Sequence, residues 1–115
     1  MARADQPVDL HHLDRYTGGD RATNEEILQL FDDQCRQSLS KLEGLGAGGC
    51  GTETWLEIIH TLKGAARGIG AFDLGDAAAE AETALPANAK AELAKLKREA
   101  DTVRRFIAEF LHTPA

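Results

Sequence analysis

Signals for β-structure are almost absent from this sequence of 115 residues. Aromatic residues make up 5% of it, and apolar residues recur at helical rather than alternating spacing. This pattern predicts an all-α fold. With 43% hydrophobic and 28% charged residues, the chain has the size and balance of a single globular domain spanning residues 1–115.

The sequence also lacks long runs of basic residues and long runs of apolar residues. No run of lysine and arginine occurs, and the formal net charge is -6, so nucleic acid is not expected as a partner. No apolar run approaches the length of a membrane span, and residues 1–10 lack the basic and apolar regions of a secretory signal. We therefore expect a cytoplasmic protein with no membrane partner.

Cysteine is scarce, since only Cys35 and Cys50 occur and they do not form a close-spaced pair. Neither zinc nor redox chemistry is indicated, and both thiols are interpreted as incidental. A G-x-x-x-x-G-K-[ST] loop is absent, and the G-x-G-x-x-G matches within residues 44–51 follow a helical segment rather than a strand. No nucleotide site or bound cofactor is expected.

Five amphipathic segments predict the helices. A short one covers about 9–17, with Asp9 as its cap and Leu10, Leu13 and Tyr16 on one side. The longer ones cover about 21–44, 52–70, 72–85 and 88–112, and four such helices with short connections favour an antiparallel four-helix bundle. Their apolar stripes are Ile27, Leu28, Phe31, Cys35, Ser38, Leu39 and Leu42; Trp55, Ile58, Ile59, Leu62, Ala66 and Ile69; Leu74, Ala78, Ala81 and Leu85; and Leu93, Leu96, Ala100, Val103, Ile107 and Phe110.

Local signals mark where these helices begin and end. Thr23 and Glu26 have the spacing of a capping box at the start of the second helix. The glycine-rich segment 44–51 is typical of a flexible hairpin connection, and Pro86 marks the end of the fourth helix.

His60 is predicted to face water. On a helical wheel it lies roughly 150° from the apolar stripe of its own helix. Lys63, Gly64 and Arg67 follow it by three, four and seven residues and share its face. A neutral imidazole is a competent nucleophile toward phosphorus, and an adjacent ammonium and guanidinium would hold phosphoryl oxygens. An isolated histidine on such a face would instead be ordinary solvated surface.

Gly64 also requires an explanation, because glycine inside a helix costs about 1 kcal/mol relative to alanine. Close packing against a neighbouring helix suits Gly70, which lies nearer the apolar side of the wheel. Gly64 lies roughly opposite the core and one turn beyond His60. We therefore predict that it leaves room for a docking partner.

The run HTLKGAARGIGAFDL, from His60 to Leu74, resembles the signature of histidine-containing phosphotransfer domains. In that signature H-x-L-K-G is followed by G-A and then by a leucine, here Gly70, Ala71 and Leu74. The upstream stretch LDRYTGGDRATNEEILQLFDDQ is similar to the family's short helix, double-glycine turn and second helix.

The resemblance implies a phosphorelay protein whose histidine accepts a phosphoryl group from a receiver-domain aspartate and passes it to another receiver. His60 would be the phosphorylated residue and Lys63 the phosphate-stabilising one, with Gly64, Arg67 and Gly68 at the partner surface. Receiver domains and a sensor or hybrid histidine kinase are the implied partners, and the Mg²⁺ would belong to the receiver. The domain is expected to be a monomer. Many members place hydroxyl residues after the glycine, where this chain has alanines, so a backbone carbonyl or water would have to orient the imidazole.

Two other functions fit parts of the pattern. A chemotaxis-type phosphotransfer domain would receive phosphate directly from a kinase that binds ATP elsewhere. A di-metal carboxylate bundle is suggested by Glu57-x-x-His60 and Glu109-x-x-His112, although the wheel places both pairs opposite the apolar stripes, where they could not project into the bundle.

Overall fold

The computed structural model describes residues 6–45, 52–83 and 88–113. These ranges hold five α-helices and no strand: α1 (Leu10–Thr17), α2 (Arg21–Leu45), α3 (Thr52–Gly68), α4 (Phe72–Glu82) and α5 (Ala89–His112). The predicted all-α fold is confirmed. The predicted connection over 46–51, with Cys50, and the predicted helix end at Leu85 and Pro86 lie outside the described residues.

Helices α2 to α5 form a closed ring in which α2 packs on α3, α3 on α4, α4 on α5 and α5 on α2, while α1 packs on α2. Neighbouring helices run antiparallel. Between α2 and α5, for example, Glu43 pairs with Lys97 and Asp32 pairs with Arg104, so one helix ascends as the other descends. Most of the largest fully buried side chains come from the predicted stripes, among them Leu28, Leu42, Ile59, Leu62, Leu74, Leu96 and Ile107, whereas Val8 belongs to none of them. None of the helices in the described ranges is both long and apolar enough to cross a membrane.

Helix α1 follows its predicted cap but not all of its predicted face. The Asp9 carboxylate accepts the backbone N–H groups of His11 and His12 at 3.0 and 3.3 Å. Leu13 is buried as expected. The assignment of Tyr16 to the core side was wrong, because its side chain is 73% exposed and lies edge-on to the ring of His12.

The start of α2 corrects the predicted capping box. The Asp20 carboxylate accepts both the backbone N–H and the hydroxyl of Thr23, at 2.9 and 2.6 Å, so Asp20 occupies the capping position and Thr23 lies inside the first turn. An ionised carboxylate satisfies the free N–H groups of a helix start and favours the positive end of the helix dipole, which is why it displaces the threonine.

Arg21 joins the first turn of α2 to the end of α5. Its guanidinium donates to the carbonyl oxygens of Phe110 and Thr113, each at 2.6 Å, and lies 4.0 Å from the centroid of the Phe110 ring. The last carbonyls of a helix lack partners within the helix, so this side chain supplies donors that α5 cannot.

The end of α3 is set by Gly70, which has a φ of 89°. The N–H of Ala71 donates to the carbonyl of Ala66 and the N–H of Gly70 to that of Arg67, the two bonds of a Schellman motif. A Cβ on Gly70 would lie 2.6 Å from the carbonyl oxygen of Asp9. The close packing expected of Gly70 is therefore against the backbone before α1 rather than against a helix.

Cys35 is fully buried beside the pair formed by Asp32 and Arg104. Burial raises the pKa of its thiol to about 11, so it is a protonated core side chain at neutral pH.

Candidate functional site

His60 lies in the middle of α3, flanked in sequence by the buried Ile59 and Leu62. Those neighbours fix the rotation of the helix, and His60 is left on the outer face with its side chain 72% exposed. The predicted exposure is confirmed.

The His60 imidazole is held by a carboxylate from the next helix. Nδ1 of His60 lies 2.7 Å from Oε2 of Glu82, at the end of α4. An ionised carboxylate only accepts hydrogen bonds, so Nδ1 carries the proton of this contact, and in the neutral imidazole the lone pair lies on the second nitrogen, Nε2. The expectation that a backbone carbonyl or water orients this ring was wrong, because Glu82 does so.

Lys63 completes a three-residue contact. Its Nζ donates to the other oxygen of Glu82, Oε1, at 2.5 Å. The hydrogen bond from Lys63 and, to a smaller extent, the one from His60 hold the pKa of Glu82 below its ordinary value. Glu82 is thus ionised at neutral pH and bridges His60 to Lys63.

The position of Glu82 is unfavourable for α4 alone. It is the last residue of the helix, where the negative end of the helix dipole disfavours a carboxylate. The donors from α3 offset that cost. An acidic residue at this helix end is therefore better explained by the His60 contact than by the stability of α4.

The remaining predicted site residues share the outer face of α3. A Cβ on Gly64 or on Gly68 would meet no atom within 4 Å, so neither glycine serves packing. Arg67 extends across α4, where a Cβ on Gly75 would come within 2.7 Å of its Cγ, and one guanidinium nitrogen lies 3.5 Å from Asp76. The structure brings Lys63 into contact with His60 through Glu82 and places Arg67 against α4 instead.

A groove of about 770 Å³ opens beside His60 between α2 and α3. It is lined by Gln34, Gln37, Ser38 and Lys41 of α2, by Leu56, Glu57, Ile58, His60 and Thr61 of α3, and by Glu82. We call this the α2–α3 groove. Its position makes His60 accessible to a large partner rather than only to a small ligand.

Sequence reasoning missed Glu82, although a signal was present. The residue is separated from His60 by 22 positions, and only the packing of α3 on α4 brings the two together. An acid in the last turn of a predicted helix opposes the dipole and so indicates a cationic or donor partner elsewhere.

The metal alternative requires Glu-x-x-His pairs that project into the bundle. Instead, Glu57, His60, Glu109 and His112 are all exposed. Within the described ranges, no group of three or more His, Cys, Asp or Glu side chains is arranged to hold a metal ion. The placement of the two pairs thus gives the di-metal interpretation no support.

The chain was compared with models of known protein families. The family model of the Hpt domain matches residues 26–112, which contain α3, α4 and the whole contact of His60, Lys63 and Glu82. Searches of curated proteins and of solved structures returned no match.

Proposed function

The chain belongs to the Hpt domain family, whose members carry out histidine phosphotransfer in phosphorelays, and we propose that His60 is the residue that carries the phosphoryl group. The observation that chiefly supports this is the contact between Nδ1 of His60 and Glu82 at 2.7 Å. In the neutral imidazole this contact leaves the lone pair on Nε2, the nitrogen that would act as the nucleophile.

In the proposed transfer, Nε2 of His60 attacks the phosphorus of a receiver's aspartyl phosphate. The Nε2–P bond forms as the acyl P–O bond breaks, and the receiver aspartate leaves as a carboxylate. The proton on Nδ1 stays on the ring. Positive charge that develops on the imidazole is stabilised by the carboxylate of Glu82, and the same steps in reverse deliver the group to a second receiver.

Lys63 is proposed to stabilise the phosphoryl group. Its ammonium is within one helical turn of His60 and is held at 2.5 Å from Glu82. A cation at this position can be shared between the carboxylate and the phosphoryl oxygens, since three N–H donors are available on the ammonium. Gly64, Arg67 and Gly68 are proposed to lie under the docked receiver.

Hpt domains are phosphocarrier modules, and the sequence has no G-x-x-x-x-G-K-[ST] loop of its own. We propose that phosphate comes from receiver domains that bring their own Mg²⁺ and acidic cluster, in a relay headed by a sensor or hybrid histidine kinase. Direct phosphorylation by a chemotaxis-type kinase is the second candidate. It stays a candidate because either donor could use the same nucleophile.

The test is to incubate the purified protein with a receiver domain that has been phosphorylated by acetyl phosphate, and to measure acid-labile phosphate on it. His60→Gln should abolish labelling while helicity and Tm stay nearly unchanged, because the side chain is 72% exposed. His112→Gln, a change at another exposed histidine, is the matched control. Labelling of His60→Gln at the normal rate would move the site elsewhere.

A second arm distinguishes the donors. The protein is incubated with ATP and a kinase core that lacks a receiver. Labelling in that mixture would favour the chemotaxis-type function, whereas labelling only after a receiver is added would favour the relay.

A further inference from the structure

The α2–α3 groove contains two charged side chains in addition to the site residues His60 and Glu82. Lys41 lies on its α2 wall and Glu57 on its α3 wall, and both are exposed. Within the described ranges, neither has an opposite charge within ion-pair distance. The groove therefore presents one unneutralised positive and one unneutralised negative charge on opposite walls.

Other cations near the groove are paired within the fold. Lys63 is neutralised by Glu82, Arg67 faces Asp76, and on α2 Arg36 is paired with Asp33. An exposed charge that has no partner within the fold adds little to stability. It is instead available to a partner that covers it.

We infer that Lys41 and Glu57 select which receiver domains dock on His60, by requiring an acidic side chain opposite α2 and a basic one opposite α3. This inference rests on the proposed phosphotransfer function. A receiver with that charge order gains attraction at both walls as it approaches, and a receiver with the reverse order meets like charges at both.

Neutral groups that line the same groove suit a packed contact. Leu56 is 38% exposed in the groove, and Gln34 and Gln37 line the α2 wall. An apolar contact with polar and charged groups at its edge is the usual composition of a specific interface. The charges at the edge then affect the association rate and the choice of partner more than the affinity of the central contact.

The experiment exchanges the two charges without altering the net charge. The double variant Lys41→Glu/Glu57→Lys is compared with the double variant Lys90→Glu/Glu109→Lys, which exchanges two exposed charges on α5. Helix α5 packs on α2 and α4 and contributes no residue to the lining of the groove. Each protein is tested against a panel of receivers that are phosphorylated with acetyl phosphate and differ in charge around the phosphorylated aspartate.

We expect the groove variant to lose about 10-fold in transfer rate with the receivers that the unaltered protein prefers, and to gain with receivers of reversed charge. The loss should shrink at high salt. The α5 variant should keep the original order of receivers. The selecting role of Lys41 and Glu57 would be overturned if the groove variant kept the original order of receivers. It would also be overturned if the α5 variant changed that order to the same extent.

Labelling by phosphoramidate, a small donor that needs no receiver, separates this inference from the proposed function. Both double variants should still label at His60 with phosphoramidate, whatever their order of receivers. The proposed relay function fails if the unaltered protein does not label, or if none of the receivers exchanges phosphate with it. The selection of receivers then fails as well. If it labels and exchanges while the order of receivers ignores the charge swap, only the inference about Lys41 and Glu57 is wrong.

Discussion

Glu82 accepts a hydrogen bond from Nδ1 of His60 at 2.7 Å, although the two residues lie on different helices. The carboxylate is in turn held by Lys63. Because one oxygen serves each donor, the orientation of the imidazole depends on how α4 packs against α3. The tautomer of the proposed nucleophile is therefore set by the bundle and not by α3 alone.

Replacement of Glu82 should slow phosphoryl acceptance without unfolding the protein. A hydrogen bond to a charged group contributes about 1.5–3 kcal/mol, and the lower end applies at an exposed site, so Glu82→Ala should reduce the rate roughly 10-fold. Glu82→Gln keeps an acceptor oxygen and should lose less. The rate of labelling by phosphoramidate measures the effect. The control is Glu80→Gln, a change on the same helix as Glu82 that weakens the pair of Glu80 with Lys95 of α5. Equal rates for Glu82→Ala and the control would contradict the orienting role.

Removal of Lys63 should affect both the phosphorylation of His60 and the pKa of Glu82. Lys63→Ala should slow transfer or shorten the life of the phosphohistidine, yet still permit labelling, since the ammonium assists without being the attacking atom. It should also raise the pKa of Glu82, because Lys63 is the main cause of its lowered value.

The direction of the pH effect follows from that lowering. A carboxylate whose pKa is depressed by folding contributes stability above its unfolded pKa and loses it as pH falls through the folded pKa. In Lys63→Ala this contribution should be smaller, and its loss should be complete at a higher pH. A ¹³C NMR titration of the Glu82 carboxyl group measures the shift, with Lys95→Ala as the control. An identical titration in Lys63→Ala and the unaltered protein would disprove this account.

Gly64 should separate stability from function. Since a Cβ there meets nothing within 4 Å, Gly64→Ala should add up to about 1 kcal/mol of stability and have a modest effect on transfer. Gly64→Gln should remain folded but transfer phosphate slowly, because its side chain would stand beside His60 under the receiver. Gly44→Gln, at another open helical glycine, is the control. Thermal melts and receiver binding provide the two readouts. An unfolded Gly64→Gln protein, or one that transfers at the parent rate, would refute the docking role.

Gly70 should behave in the opposite way. Alanine at a φ of 89° is strained, and its Cβ would lie 2.6 Å from the carbonyl oxygen of Asp9. Gly70→Ala should therefore cost about 1–3 kcal/mol and lower the Tm, with phosphoramidate labelling retained below the new Tm. A melt that matches that of Gly68→Ala, whose site is open, would show that the left-handed conformation is not required.

The periodicity of the sequence was sufficient for the helices, their buried faces and the exposure of His60. These features depend on residues close together in sequence, which one helical wheel describes. A helical wheel could not predict the contact of Glu82 or the capping role of Asp20. The contact of Glu82 depends on how two helices pack, while Asp20 outcompeted Thr23 through a local preference for an ionised cap. Tyr16 shows a third limit, because a short helix can leave an apolar residue outside the contact it makes.

The contact between Arg21 and the end of α5 also bears on chain entropy. It joins residues that are 89 and 92 positions apart, and restricting a loop of that length costs roughly 4 kcal/mol in lost freedom of the chain. Two hydrogen bonds from a cationic donor are of comparable size, at about 1.5–3 kcal/mol each. One side chain thus offsets much of the entropy that is lost when the first long helix meets the last. Arg21 thus links α2 to α5, the pair of packed helices that is separated by the longest stretch of chain.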